Sequence, residues 1–373
     1  MNSIKLISYF LQCRIKNAIR SPTFLNAMRV IIACALIHTS FDSIAQDIHF
    51  SQFYQSPFNL NPGLTGQFNG AYRLIGNQRT QWRSVTVPYS TFGLSADASK
   101  LELPDGFLNK KDGQALITNW NTGISFFNDK AGDSHLKTSV LNLALGRVFS
   151  VGSDGISRIT TGMMIGVTSM KIDYSQLRYD NQWSGIIYDP GINAGEQYPR
   201  STRSYLNINA GIAYFKTWSR KKEMTIGGAL MNIGNPSQSF FNDGYVKLDM
   251  RLNVHGSYKF EIKERWLTEP MVLFMTQGTY KEINFGGLAH YILEENSWMW
   301  RSFYVGIFGR ARDAGYVVAG LQYDAWNVGV SYDINTSNLK PASNGRGGFE
   351  FSAVYIIPKP PRLIPIKVCK DYM

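Results

Sequence analysis

The chain has 373 residues, 44% hydrophobic and 13% aromatic, with a formal net charge of +11. A mass of 42.0 kDa and a mean hydropathy of −0.17 fit one large barrel or two soluble domains, and give no signal for helical membrane spans. The basic residues are dispersed along the chain rather than clustered among aromatics, which argues against a nucleic-acid partner.

The longest apolar run, residues 30–37, falls far short of the ~20 residues a spanning helix needs. Arg29 precedes it and Ser43, Ile44 and Ala45 follow, so it reads as the core of an export signal, with cleavage expected between Ala45 and Gln46. Met28 is the expected true start, which makes 1–45 an extension plus a cleaved signal. Lipoprotein processing at Cys34 is the alternative, but the apolar stretch before it is short. Cys13 and Cys34 lie in the removed part, leaving Cys369 without a disulfide partner or a cysteine-based metal site. The mature chain keeps a positive charge.

Residues 46–69 are dense in aromatics and lack alternation. They are expected to form an arm packed at a barrel mouth or a plug within its lumen. From 70 to 357 the dominant signal is a period of two. The clearest stretch sets Val246, Leu248, Met250, Leu252 and Val254 against Lys247, Asp249, Arg251, Asn253 and His255. Such alternation places one set on each face of a strand. Charged groups cannot face an apolar core unpaired, so the pattern calls for an apolar medium outside and a polar one inside. A transmembrane β-barrel supplies both. Similar runs cover Leu206 to Tyr214, Glu282 to Phe285, Asn327 to Ile334 and Phe349 to Tyr355. Their lengths suit the ~10 residues with which a tilted strand crosses a bilayer.

The expected fold is therefore all-β: an antiparallel outer-membrane barrel of about 14 strands. They are placed near 70–84, 90–101, 119–128, 135–149, 156–172, 202–218, 222–233, 245–261, 266–277, 281–292, 299–310, 314–324, 326–335 and 347–357. Starting upward from the periplasm, the lower connections at 150–155, 219–221, 262–265, 293–298 and 325 are short. The upper ones at 173–201, 234–244 and 336–346 are long, as in bacterial barrels. Residues 102–118 form a long lower connection that departs from this rule. Residues 358–373 are expected as a periplasmic tail.

Arg73, Arg79 and Arg83 share a face of the first strand. With Lys247, Asp249, Arg251 and His255 they make a candidate polar wall of the lumen. They either pair with lumenal carboxylates and the arm, or contact a passing or anchored polypeptide. Leu252 is expected near mid-membrane, so an arginine there should cost more than one at Asn253. His255 and Ser257 share a face, but no acyl-transfer motif surrounds them, so no enzymatic activity and no cofactor are expected. The loop around Asp129 and Asp133 is too sparse in ligands for calcium and reads as a turn. The loop 173–201 carries Tyr174, Tyr179, Trp183, Tyr188 and Tyr198, a candidate partner-contact surface, because Tyr and Trp are favoured at interface cores.

The chain resembles the PorP/SprF family of outer-membrane proteins of the type IX secretion system. The resemblance rests on His49, Phe50, Ser51, Gln52, Phe53 and Tyr54, followed by Asn61, Pro62, Gly63, Leu64, Thr65 and Gly66. It continues through 77–82, 88–92 and 128–132 to the hairpin of 331–337 and 347–355. The tail differs: the family commonly ends in Cys-Pro-Arg-Phe, whereas Cys369 is followed by Lys370, Asp371 and Tyr372. Membership implies secretion across the outer membrane, surface attachment of large adhesin-type clients, and gliding motility in some members. It also implies other type IX components and a secreted adhesin as partners, alongside outer-membrane lipid. The alternative is a plugged channel for small or lipophilic solutes.

Overall fold

A computed structural model describes residues 49–81, 88–99, 102–103, 116–117, 120–132, 134–152, 156–196, 199–241, 243–296, 299–336 and 346–359. Ala45, Gln46, Arg83, Tyr198 and the three cysteines lie outside these residues.

Fourteen strands close into one antiparallel barrel. They are β1 (Tyr72–Gln81), β2 (Tyr89–Ala98), β5 (Trp120–Ala131), β6 (Leu136–Val151), β7 (Ser157–Lys171), β8 (Thr202–Ser219) and β9 (Lys222–Met231). The circuit continues with β10 (Arg251–Lys263), β11 (Trp266–Gln277), β12 (Tyr280–Glu295), β13 (Trp300–Arg310), β14 (Ala314–Tyr323), β15 (Trp326–Asn335) and β16 (Arg346–Ile357). Two short strands, β3 (Glu102–Leu103) and β4 (Leu116–Ile117), pair with each other inside the long connection from β2 to β5. Each barrel strand pairs with its sequence neighbours, and β1 closes the seam on β16 from Tyr72↔Ile357 to Gln81↔Gly348.

Alternation assigns the two faces. On β8, Leu206, Ile208 and Ile212 are exposed while Asn207, Asn209 and Ala213 are buried. On β15 and β16, Val330, Tyr332, Phe349 and Phe351 point out, whereas Ser331, Asp333, Glu350 and Ser352 are buried. An apolar outer surface and a polar interior are what a closed barrel needs in lipid, since closure also removes every unpaired strand edge. Four tryptophans, Trp120, Trp218, Trp266 and Trp326, are exposed at the lower strand ends, the level at which amphipathic rings prefer to sit.

One strand starts later than the alternation suggests. The run 245–250 is exposed or half-buried and makes a single bridge, Ser237↔Lys247, before β10 begins at Arg251. Arg251 is opposite Met231 on one side and Gln277 on the other, where both neighbouring strands end. Beyond that point the chain leaves the barrel ladder and bonds instead to 236–238 of the same connection. Leu252 consequently lies at the upper edge of the wall, not near mid-membrane.

Candidate functional site in the lumen and at the loop end

Residues 49–71 run through the lumen. Phe53–Gln55 and Pro62–Leu64 are single 3-10 turns and Pro57–Leu60 is one α-turn. Pro57 and Pro62 open two of these, where a missing amide hydrogen costs nothing. Sheet hydrogen bonds to the wall begin at Ala71, which donates to the Ile357 carbonyl at 2.7 Å and accepts from the Ser99 N–H at 3.0 Å. Before it side chains tie the segment to the wall, because an irregular backbone buried in a barrel must have its polar groups satisfied.

At the upper level the Glu350 carboxylate, itself fully buried, accepts the backbone N–H of Ser51 at 2.7 Å and of Gln52 at 2.9 Å. The Ser51 hydroxyl donates to Asp333 at 2.7 Å, and Ser352 donates to the Gln52 side-chain oxygen at 2.8 Å. Arg79 donates to the His49 carbonyl at 2.6 Å and pairs with Asp333 at 3.2 Å. Arg310 donates to the Ser51 hydroxyl and approaches Glu282 and Asp313 at 3.5 and 2.8 Å. Further along the segment, Arg251 donates to the backbone and side-chain oxygens of Asn59, and Asn253 donates to the Leu60 carbonyl at 2.8 Å. Asn61 donates to the Ile212 carbonyl, and its side-chain nitrogen lies 3.0 Å from His255 Nε2. An amide nitrogen can only donate, so His255 Nε2 is the acceptor and its hydrogen sits on Nδ1. Lower still, Asp97 accepts the Gly66 N–H at 2.7 Å and a forked pair from Arg73.

Apolar packing does the rest. Phe53 and Leu60 join Met271, Leu273, Leu288, Tyr304, Phe308, Tyr316 and Val318 on one side of the lumen. Phe50 and Phe58 join Phe127, Ala144, Met164, Ala229 and Met231 on the other. The wall makes room with glycine: a Cβ at Gly162 would lie 2.1 Å from the Pro62 carbonyl oxygen. Beneath the segment a cavity of about 370 Å³ remains, lined by Arg220, His255, Lys259, Glu269, His290 and Trp300 among others. Glu269 lies 3.5 Å from His290 there. Among the described residues no three His, Cys, Asp or Glu side chains are grouped to hold a metal.

Of the two placements left open for 46–69, the described residues occupy the lumen, as a plug does. Arg73, Arg79, Arg251 and His255 project inward and are each engaged with the plug or with lumenal carboxylates. Lys247 and Asp249 do not join that wall; they lie in the connection 232–250 and are exposed. The most consequential lumenal groups, Glu350, Asp333 and Arg310, were not singled out by sequence, although alternation had placed Asp333 and Glu350 on the polar face. They hold the plug because the last strands face its first residues, a proximity no local pattern encodes.

The long connections gather at the upper end. In 172–201, Tyr174 donates to the Arg200 carbonyl at 3.0 Å, and the Tyr188 ring lies under Arg178. The Ser175 side chain and amide bind the Asp173 carboxylate and hold it below the usual carboxylate range. A small bridge, Trp183↔Tyr188, presents Trp183, Ile186 and Ile187 at 57%, 83% and 63% exposure. In 232–250, Phe241 and Tyr245 are exposed as well. The two isoleucines at the tip are fractionally more exposed than Trp183 beside them; Gly185 at positive φ, just before them, marks the turn that displays them.

The sequence profile described as type IX secretion system membrane protein PorP/SprF matches residues 42–355. The chain belongs to the PorP/SprF family. It is thus an outer-membrane barrel of the family tied to type IX secretion, and the match spans the plug and nearly the whole barrel of this PorP/SprF protein. No curated protein sequence matches it. Solved structures that it resembles include the toluene transporter TodX of Pseudomonas putida, at 10% identity and a TM-score of 0.42, covering 80% of this chain and 92% of that one. The KdgM porin in complex with oligogalacturonate gives 8% identity and a TM-score of 0.33, covering 76% and 98%. CdiB from Acinetobacter baumannii gives 8% and 0.40, covering 76% and 59%. These likenesses are distant, and no property of those proteins carries over to this PorP/SprF barrel.

Proposed function

We propose that this protein is an outer-membrane component of the type IX secretion system that supports secretion and surface attachment of large adhesin-type clients, with gliding or adhesion as the downstream phenotype. In this reading the signal is cleaved after Ala45, the short turns face the periplasm and the long connections face outward. The protein binds other secretion components and acts without catalysis. The observation that supports it is the contrast between lumen and rim. Plug side chains and a buried ion network occupy the lumen, while Trp183, Ile186, Ile187, Phe241 and Tyr245 stand exposed above it. Apolar side chains displayed on loops next to water are a feature of protein-contact surfaces.

The test is to replace residues 180–194 by a short Gly-Ser linker in the producing cell. The barrel should still migrate faster on a gel unheated than boiled, and a large adhesin should disappear from the surface proteome. An unchanged surface proteome with altered uptake of a small solute would replace this reading with the channel.

A further inference from the structure

The outward face of β5 to β8 forms level rows, because the register is unbroken across these strands. Phe126, Leu141, Val167 and Leu206 make one apolar row, and Ile124, Leu143, Ile165 and Ile208 make the next one down. One step above Phe126 the row becomes Asn128, Ser139, Ser169 and Ser204. Asn128 donates to the Ser139 hydroxyl at 2.8 Å, and Ser204 to Ser169 at 3.3 Å. The apolar belt therefore ends between these two rows. Directly above, Lys130 is opposite Lys137, and Lys137 is opposite Lys171. All three are exposed on the outer face.

Like charges directly opposite each other destabilise a strand pair, and here two such pairs are consecutive. Among the described residues none of the three has a carboxylate within 4.0 Å. Nearby Asp129 accepts from Thr91 on the inner face, and Asp173 is bound by Ser175. With strands about 4.8 Å apart, the row spans about 10 Å at the backbone. Three ammonium groups with no carboxylate partner among the described residues, at the edge of an apolar belt and above a row of hydroxyls and an amide, match one chemistry: the phosphate and hydroxyl groups of a lipid head whose chains lie against the belt.

We propose that Lys130, Lys137 and Lys171, with Asn128, Ser139 and Ser169 beneath them, bind the phosphorylated headgroup of a lipid in the leaflet at the loop end. The site is independent of the secretion role. The lipid anion removes the repulsion within the row and fixes the height of the barrel in the membrane.

The experiment compares the wild type with K130Q/K137Q/K171Q and with K130R/K137R/K171R, all full-length and shown to be folded by heat-modifiable migration. Binding of a phosphorylated glycolipid such as lipid A is measured in phosphatidylcholine nanodiscs. Three lysines at a charged lipid surface predict a loss on the order of 100-fold in the glutamine variant and near-complete retention in the arginine variant. In neutral detergent without lipid, the glutamine variant should melt at or above the wild type, because the repulsion is gone. Equal glycolipid affinity in wild type and glutamine variant overturns the proposal. So does stabilisation of the wild type by inorganic phosphate alone as large as that by the lipid. If the triple variant fails to fold, Lys137→Gln, the central position, is read the same way and should lose about fivefold.

Discussion

Replacing Glu350 by glutamine isolates what holds the plug. The carboxylate is fully buried on β16 and its two oxygens each accept one backbone N–H, from Ser51 and Gln52. A hydrogen bond to a charged group contributes about 1.5–3 kcal/mol. Glutamine has nearly the same shape but keeps one accepting oxygen, and its NH2 group confronts the second N–H donor. The expected cost is about one such bond with its N–H left as a buried unpaired donor, roughly 2–4 kcal/mol of plug docking. A penalty of 2–4 kcal/mol multiplies the open population by roughly 30 to 1000. Hydrogen–deuterium exchange on the detergent-solubilised protein reads this directly. The peptide covering 49–56 should lose protection by that factor, while peptides from β11 and β12, which do not touch Glu350, keep theirs. Unchanged protection at 49–56 would refute the claim that this carboxylate anchors the plug. Equal loss around the whole barrel would show that Glu350 supports the wall instead.

Other consequences are equally measurable. Leu143, 63% exposed between Leu141 and Leu145 on the apolar face, should tolerate arginine poorly, at a cost of about 2–4 kcal/mol in barrel unfolding by denaturant, whereas Ser139→Arg, at the polar row, should cost well under half of that. Asn253→Arg should also be costly, although the sequence alone ranks it below Leu252→Arg, because Asn253 is buried and donates to the Leu60 carbonyl. Gly162→Ala should lower stability by about 1–3 kcal/mol, since its Cβ would press on the Pro62 carbonyl, while Gly76→Ala, with nothing nearer than 3.8 Å, should be close to neutral. A thermal melt of the two variants side by side is sufficient, and equal shifts would remove the packing argument.

The barrel was legible because a wall wet on one side and greasy on the other writes its period of two into every strand. The same rule misplaced the start of β10, where 245–250 keep alternating but pair only with 236–238, outside the barrel ladder. Strand pairing is a property of three segments at once, and a sequence window sees only one. The plug was legible as a segment that breaks the period but not as an object inside the barrel. Its anchors are single long-range contacts: Ser51 to Asp333, Arg251 to Asn59, Asn61 to His255. Glycines at 162, 211 and 227 were the one available hint, since a Cβ at each would strike Pro62, Asn61, or Asn61 and His255. The loop surface was read through its tyrosines, two of which are tied down by Arg200 and Arg178, and so Ile186 and Ile187 were passed over.

The position of the plug bears on how the chain assembles. Closing the seam joins β1 to β16, segments separated by nearly the whole barrel, and such a closure carries the largest loop entropy in the molecule. Ser51 precedes β1, yet it bonds to Glu350, 299 residues away, on the strand that completes the circle. Gln52 bonds to Ser352 on the same strand. The plug therefore makes the same long-range connection as the seam itself, through contacts that do not require the ladder to be aligned first. It acts as a mandrel: the last hairpin can be gathered onto it before β1 and β16 zip, and once they have zipped the plug is already inside.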